Sequence, residues 1–337
     1  EIYTLSLHDA LPISSLGTER EVKFMAADLI DLHTHTNCSD GDYAPAELLS
    51  LAKKRGVKTI AITDHDTVDG YGKELFLLAK DLGIELIPGI EFSTIDEESG
   101  QKVHALGLGI DLENKVLREE CAQLRADRIK LMGQIAEKLA SCGFVLRVDE
   151  LVASGEIITK AHIARDVLAN EANRHRLLTM YGDMPLQGEF IEKWLIKGCP
   201  AFVPKTKPLL THEAIDIIHQ AGGVSSCAHP SFNVMKGFSL ECMKQLILRN
   251  KFDAVEAINI QYDKENGDQR FDMIREFTQF AKESNLLITG GSDYHSDNHE
   301  LWGNMPSLGM ADEAVRPGQE MVDNLNLLTV SRATTVE

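Results

Sequence analysis

LIDLHTHTNCSDGDYAPAELLSLAKKRGVKTIAITDHD, residues 29–66, decides the fold class. LIDLHTH is a short apolar run that ends in polar residues. PAELLSLAKKRG reads as a helix, with Pro45 at its first position and Gly56 just past its end. TIAITDHD is a second strand-like run, rich in Ile and Thr. Strand, helix and strand in that order form a βαβ unit, which implies a mostly parallel sheet.

The rhythm continues outward. A helix is expected around residues 72–82, closed by Gly83, followed by strands at IELIPGIEFS (84–93) and QKVHALGLGI (101–110). From about 113 to 200 the pattern turns mainly helical, with apolar residues at helical spacing and many charges, as in LENKVLREECAQLRADRIKLMGQIAEKLASCG (112–143). The βα rhythm then resumes. THEAIDIIHQAGG is a helix, VSSCAHP a strand, SLECMKQLILRN a helix, DAVEAIN a strand, 268–285 a long helix and LLITGGSDYH a last strand. The chain therefore divides into a tail (1–25), the first part of an α/β domain (26–112), a helical insertion (113–200) and the second part of the α/β domain (201–337).

The first methionine is Met25, and SLHDALPIS (6–14) resembles translated sequencing-adapter sequence. The tail reads as non-native or disordered. It lacks the basic and apolar regions of a secretory signal, so His8 and Asp9 are kept out of any site.

Among 337 residues, 43% are hydrophobic and 26% charged, as in ordinary soluble proteins. No apolar stretch approaches the roughly 18–20 residues that span a bilayer, so no membrane role is expected. A net charge of −18 argues against a large nucleic-acid footprint, since backbone-gripping proteins are basic. It leaves room for a small phosphorylated substrate, because bound cations invert the local field. Cys38, Cys121, Cys142, Cys199, Cys227 and Cys242 include no CxxC pair and read as reduced thiols, pointing to the cytoplasm. Cys38 reads as a small loop residue rather than a ligand. Nothing in the sequence sets the oligomeric state.

Strand ends carry the chemistry. His33 and His35 close the first strand and His65 the second; Glu91 lies near the end of the third and His104 in the fourth. His229 ends the strand after the insertion, and Asp293 and His295 end the last one. Asp40 follows in the loop after the first strand. Residues i and i+2 share a strand face, so His33 pairs with His35 and Asp293 with His295. In parallel α/β barrels these ends meet in one mouth. A lone strand-end histidine is usually structural, and His104 by itself would be read as a core residue. Six of the 12 histidines joined by three carboxylates at matching ends point instead to a shared metal site. Imidazole and carboxylate donors without cysteine suit Zn, Mn or Fe. Nine donors exceed what one ion uses, which favours a two- or three-metal centre of the kind that brackets a phosphoryl transfer. Asp64 and Asp66 are expected to orient ligands rather than bind metal.

DLHTHTNCSDG, ITDHDT, PGIEFS, VHALGLGI, CAHP and GGSDYH resemble the successive motifs of the PHP (polymerase and histidinol phosphatase) superfamily. Their order is similar to that of its stand-alone branch of 3′,5′-nucleoside bisphosphate phosphatases and short-RNA 5′ exonucleases, from about residue 28 to 310. The resemblance implies a distorted (β/α)7 TIM-like barrel with an inserted helical subdomain. It implies that His33, His35, Asp40, His65, Glu91, His104, His229, Asp293 and His295 are metal ligands, most often for manganese, with zinc or iron as alternatives. ITKAHIARDVL resembles a segment that reaches over the mouth and touches phosphate. There Lys160, Ala161 and His162 stand where relatives have Arg-Pro-His, and Arg165 is retained. Lys160, His162 and Arg165 are thus candidate phosphate contacts, and Lys205 in AFVPK a further one. The alternative is that Lys160, Arg165 and Lys205 are solvated surface charges.

The expected activity is hydrolysis of a phosphate monoester of a small nucleotide by a metal-activated water. A 5′-to-3′ exonuclease on short RNA would use the same site. Histidinol phosphate hydrolysis fits the insertion less well. A non-catalytic metal-binding regulatory module would predict missing ligands or an attached polymerase, and neither is seen.

Overall fold

A computed structural model describes residues 28–153, 157–204, 207–263, 266–298, 304–310, 313 and 316–333. The expected tail up to residue 25 and Lys205 lie outside the described residues.

The quoted βαβ unit is present: β1 (Leu29–Thr34), α1 (Pro45–Arg55) and β2 (Val57–Ile62). Pro45 opens the helix, and Gly56, at φ 83°, ends it with its N–H on the Ala52 and Lys53 carbonyls. Next come α2 (Lys73–Leu82), β3 (Glu85–Ile95) and β4 (Lys102–Leu108). Helices α3 (Lys115–Ser141), α4 (Val148–Ala153), α5 (Lys160–Ala169), α6 (Glu171–Tyr181) and α7 (Gln187–Trp194) follow. The rest is α8 (Thr211–Gln220), β5 (Val224–Cys227), α9 (Pro230–Met235), α10 (Leu240–Asn250), β6 (Ala254–Ile258), β7 (Ile260–Asp263), β8 (Gln269–Asp272), α11 (Ile274–Glu283), β9 (Leu287–Gly290) and α12 (Gln319–Ala333).

The protein is a mixed α/β fold around a seven-stranded sheet, ordered β1-β2-β3-β4-β5-β6-β9. Most pairings are parallel. β4 is the exception, running antiparallel to both β3 and β5. The cause at the β3–β4 junction is local: a tight turn joins the strands, closed by the Asp96 N–H donating to the Gln101 carbonyl at 2.9 Å, and no crossover helix intervenes. The expected helix over 268–285 is shorter than its pattern. Gln269–Asp272 instead pairs with β7 as a hairpin, and the helix begins at Ile274. Cross-strand pairing there outweighs the helical propensity of four residues.

Ile30, Leu32, Ala61, Ile87, Leu106, Val224, Ala254 and Ile258, drawn from strands β1 to β6, meet in one cluster with Met321, Val322 and Leu325 of α12. On the other face α1 and α2 pack Leu48, Leu49 and Ala79 on Ile60 and Ile62, while α8, α10 and α11 cover the remaining strands. The helices between β4 and β5 have a separate core of Met132, Ile135, Leu139, Phe144, Phe190 and Trp194.

Beyond β9 the chain lies beside the end of β1. Thr34 and Tyr294 form a parallel bridge, and His35 N–H donates to the Tyr294 carbonyl at 2.9 Å. The approach requires glycine at 291, where a Cβ would stand 2.4 Å from His33 Cβ and 2.5 Å from its nitrogen. Buried Asp31 fastens the same junction, accepting from Ser292 N at 2.9 Å, Ser292 Oγ at 2.6 Å and Gly309 N at 2.7 Å. Burial pushes its carboxyl up to about 6, against those bonds, which pull it down.

Candidate metal centre

All nine donors expected from the sequence converge at one end of the sheet. Eight of them form three overlapping sets whose ligand atoms lie within 4.8 Å of one another: His35, Asp40, His65 and His295; His33, His35, Glu91 and Asp293; and His65, Glu91 and His104; His229 stands beside these sets, against Glu91. Glu91 belongs to the second and third sets, as His35 and His65 each link the first set to one of the others. Its Oε1 is 2.9 Å from His104 Nδ1 and 3.0 Å from His229 Nε2, and its Oε2 is 2.9 Å from His65 Nδ1.

The strands explain the convergence. His33 and His35 lie two apart at the end of β1, with their Nε2 atoms 3.2 Å apart. His65 follows β2 and bridges to Glu91. His104 arrives from the opposite direction. Because β4 is antiparallel, its first residues, not its last, lie at the mouth, and His104 pairs with Ser93 there. His229 (φ 28°) and Asp293 (φ 55°) sit just past β5 and β9 in left-handed backbone. Such backbone is costly outside glycine and clusters at working sites.

Electrostatics and hydrogen bonding both match a cation. His33 and Glu91 are fully buried. Burial works against charge on every member. Even so, His65, His33 and His104 hold the Glu91 carboxyl well below the usual carboxylate range, and His65 and His295 do the same for Asp40. Burial draws the His33 imidazole down, but Glu256, Asp293 and Glu91 lift it well above its ordinary value. His104 goes the other way, burial outweighing Glu91. Four buried atoms, Asp40 Oδ1, His65 Nδ1, Glu91 Oε2 and His229 Nδ1, make no aligned hydrogen bond among the described residues, although oppositely charged atoms flank the first three. Close donors misaligned for hydrogen bonding, with two imidazole Nε2 atoms facing each other, fit divalent ions held between them.

Glu256 was not anticipated from the sequence. It stands in the apolar run of β6, accepts from His33 Nδ1 at 3.0 and 3.1 Å, and accepts from the His229 backbone N–H at 2.7 Å. Glu256 accepts at these contacts, so with a cation bound at Nε2 His33 would keep its proton on Nδ1 and turn the Nε2 lone pair inward. Its one signal was an unpaired carboxylate in an otherwise apolar strand. Asp64 binds Thr36 N at 2.8 Å and Ser39 Oγ at 2.5 Å, shaping the loop that carries Asp40. Asp66 accepts from Ser93 N at 2.9 Å and pairs with Arg128. Cys38 is not among the donor sets; its carbonyl accepts from Ile157 N at 3.0 Å.

A cavity of about 770 Å³ opens on Asp40, His65 and His104. Lys102, Arg128, Lys160 and Lys197 line it, a cationic wall in a chain of net charge −18. Of the candidate phosphate contacts among the described residues, only Lys160 is on this wall. Arg165 Nη2 lies 3.1 Å from Asp42 Oδ1, and His162 is buried, its Nδ1 accepting from Thr159 N at 3.2 Å as part of the α5 cap. Lys102, Arg128 and Lys197 were missed, since nothing local in the sequence distinguishes a lysine on a cavity wall from one in solvent.

The fold and the donor set define a metal-binding α/β enzyme. The model of the PHP domain family matches residues 31–181, and a 5′-3′ exoribonuclease of Haemophilus influenzae is 33% identical over 79% of this chain and 89% of its own. The chain belongs to the PHP domain family. It is also 27% identical to a 3′,5′-nucleoside bisphosphate phosphatase of Chromobacterium violaceum, over 79% of this chain and 87% of that one. A crystal structure from Bifidobacterium adolescentis shares the fold, with a TM-score of 0.70 at 24% identity over 89% of this chain and 96% of that one.

Proposed function

We propose that the protein is a metal-dependent phosphoesterase that hydrolyses phosphate monoesters of small nucleotides, of the 3′,5′-nucleoside bisphosphate type. The observation that carries this is the meeting of three overlapping donor sets with a cation-lined cavity at Asp40, His65 and His104. The shared donors favour two or three divalent ions, with manganese first and zinc or iron as alternatives.

Ions bound there supply Lewis acidity that sharpens an incoming water and balances phosphate charge. The chain's own residues do the rest. Glu256 fixes the tautomer and direction of His33, and Asp64 shapes the loop of Asp40. Lys160, with Lys102 and Lys197, attracts and neutralises phosphate oxygens. Arg165, paired with Asp42, and His162, in the α5 cap, support the same segment that carries Lys160.

A second reading, a 5′-3′ exonuclease on short RNA, is supported by the name of the Haemophilus influenzae relative. We further propose that the seven strands close as a distorted (β/α)7 barrel. The Thr34–Tyr294 bridge and the single cluster shared by β1 to β6 support that closure. Residues 113–200 then form an inserted helical subdomain, supported by their separate core, between barrel parts 26–112 and 201–337. The six cysteines form no disulfide, which supports a cytoplasmic location, and no described helix is long and apolar enough to cross a membrane.

The test is elemental analysis with a phosphate-release assay on phosphorylated nucleotides in Mn²⁺. His35→Ala and Asp293→Ala should lose turnover and metal content together. Full turnover in a variant stripped of metal would overturn the proposal.

A further inference from the structure

Arg128 of α3 lines the cavity, yet its side chain is only 13% exposed and its guanidinium is turned to three protein acceptors. Its Nε donates to Asp66 Oδ2 at 2.9 Å, and its Nη2 pairs with the same oxygen. Nη2 also donates to Ser93 Oγ at 3.2 Å, and Nη1 to the Ile158 carbonyl at 3.3 Å.

These acceptors belong to two different parts of the protein. Asp66 and Ser93 stand beside metal donors. Asp66 follows His65, its N–H donates to the Glu91 carbonyl at 2.9 Å, and its Oδ1 accepts from Ser93 N at 2.9 Å. Ile158 belongs instead to the buried segment that leads into α5 and Lys160. Thr159 caps that helix, its Oγ1 accepting from Ala161 N at 3.1 Å, which makes Lys160 the first helical residue. The same segment has a second tether, from Ile157 N–H to the Cys38 carbonyl at 3.0 Å. That tether is backbone to backbone, so the Arg128 contact can be lost while it remains. A planar fork on Arg128 thus joins the loop of His65 and the strand of Glu91 to the backbone just before Lys160.

We infer that Arg128 is a positioning residue, which fixes Lys160 against the metal donors and thereby sets how well Lys160 holds phosphate. This rests on the phosphoesterase reading, in which Lys160 meets phosphate oxygens. Arg128 acts through Lys160 rather than on the phosphate, because its fork is already committed to Asp66, Ser93 and Ile158.

Two altered backgrounds test this. Arg128→Lys keeps the charge but offers one point donor in place of a fork. Asp66→Asn combined with Arg128→Met removes the pair together, so that no carboxylate is left buried alone. Lys160→Ala is placed in each background and in the unaltered chain, after melting curves and elemental analysis establish folding and metal content. Affinity for inorganic phosphate is measured by calorimetry on metal-loaded protein, with KM and kcat on a nucleoside 3′,5′-bisphosphate alongside. In the unaltered chain Lys160→Ala should weaken phosphate binding about tenfold, and in either background less than about twofold, because coupled residues are not additive. Arg128→Lys should by itself raise KM and weaken phosphate binding about fivefold, with kcat less affected and metal content kept.

If Lys160→Ala costs as much in the Arg128→Lys background as in the unaltered chain, the inference is overturned and Arg128 is a fold contact only. Phosphate affinity in Arg128→Lys equal to that of the unaltered chain also overturns it, leaving Arg128 as a cavity charge. So does a Lys160→Ala chain that binds phosphate normally. Should the paired variant fail to fold, Arg128→Lys decides alone. If the unaltered chain turns over no phosphorylated nucleotide, the phosphoesterase reading falls, and the phosphate affinities still decide the role of Arg128.

Discussion

Glu256→Gln separates ligand positioning from ligation. The substitution keeps side-chain shape but replaces one acceptor oxygen with an NH2 donor. The His229 backbone N–H, 2.7 Å from Oε2, cannot reverse its role, so the glutamine carbonyl must take that place. The NH2 then falls at Oε1, 3.0 Å from His33 Nδ1. Two donors cannot share that contact. His33 either shifts its proton to Nε2, turning an N–H into the metal centre, or leans on the glutamine oxygen at the 3.1 Å position alone. Loss of a partner that orients a metal-binding histidine typically weakens metal affinity or activity about 10–100-fold. That corresponds to about 1.4–2.7 kcal/mol. The fold should persist, because the buried His229 N–H stays satisfied. Glu256→Ala is the harsher contrast: it strands two buried donors at about 1–3 kcal/mol each and should lower the melting temperature as well. The assay is metal titration of stripped protein followed by calorimetry, with turnover measured alongside. Metal affinity and turnover in Glu256→Gln indistinguishable from the unaltered chain would refute the reasoning.

Three other outcomes follow from contacts described above. Lys160→Ala should raise KM for a phosphorylated nucleotide about tenfold with kcat less affected, as for a contact made equally in the ground and transition states, and initial-rate kinetics check it. Gly291→Ala drives a Cβ to within 2.5 Å of the His33 backbone, so it should destabilise the fold by about 1–3 kcal/mol and reduce metal content, read by melting and elemental analysis. Asp96 is buried where it meets Arg249, Asn250 (2.7 Å) and Ser99 Oγ (2.6 Å). Burial alone would raise its carboxyl, but these bonds hold it well below its ordinary value of 3.8. A depressed folded-state value stabilises fully above that ordinary value and is lost as pH falls below it. Asp96→Asn should therefore cost about 1–2 kcal/mol from pH 8 to 5, with the gap closing below about pH 4 in acid melts.

Much of the site was legible because strands repeat every two residues and barrel-like folds gather strand ends. His33 with His35, and Asp293 with His295, could be read as pairs for that reason. His104 was legible as a donor only in company with the other strand-end residues and its motif, since its place depends on the reversed direction of β4. Glu256 escaped because it orients rather than binds, and a lone carboxylate in an apolar strand has no characteristic spacing. The cationic wall escaped because Lys102, Arg128 and Lys197 are brought together only by tertiary packing. The β7–β8 hairpin escaped because cross-strand pairing with Ile260–Asp263 leaves no mark in the helical pattern of 268–285.

None of the nine donors lies between residues 115 and 204, yet Arg128, Lys160, Gln187, Lys197 and Phe202 of the cavity all do. On the proposed reading, one contiguous segment supplies much of the cavity wall while the metal donors come from elsewhere in the chain. Substitutions between β4 and β5 would then change what the cavity admits and leave the donor set itself intact.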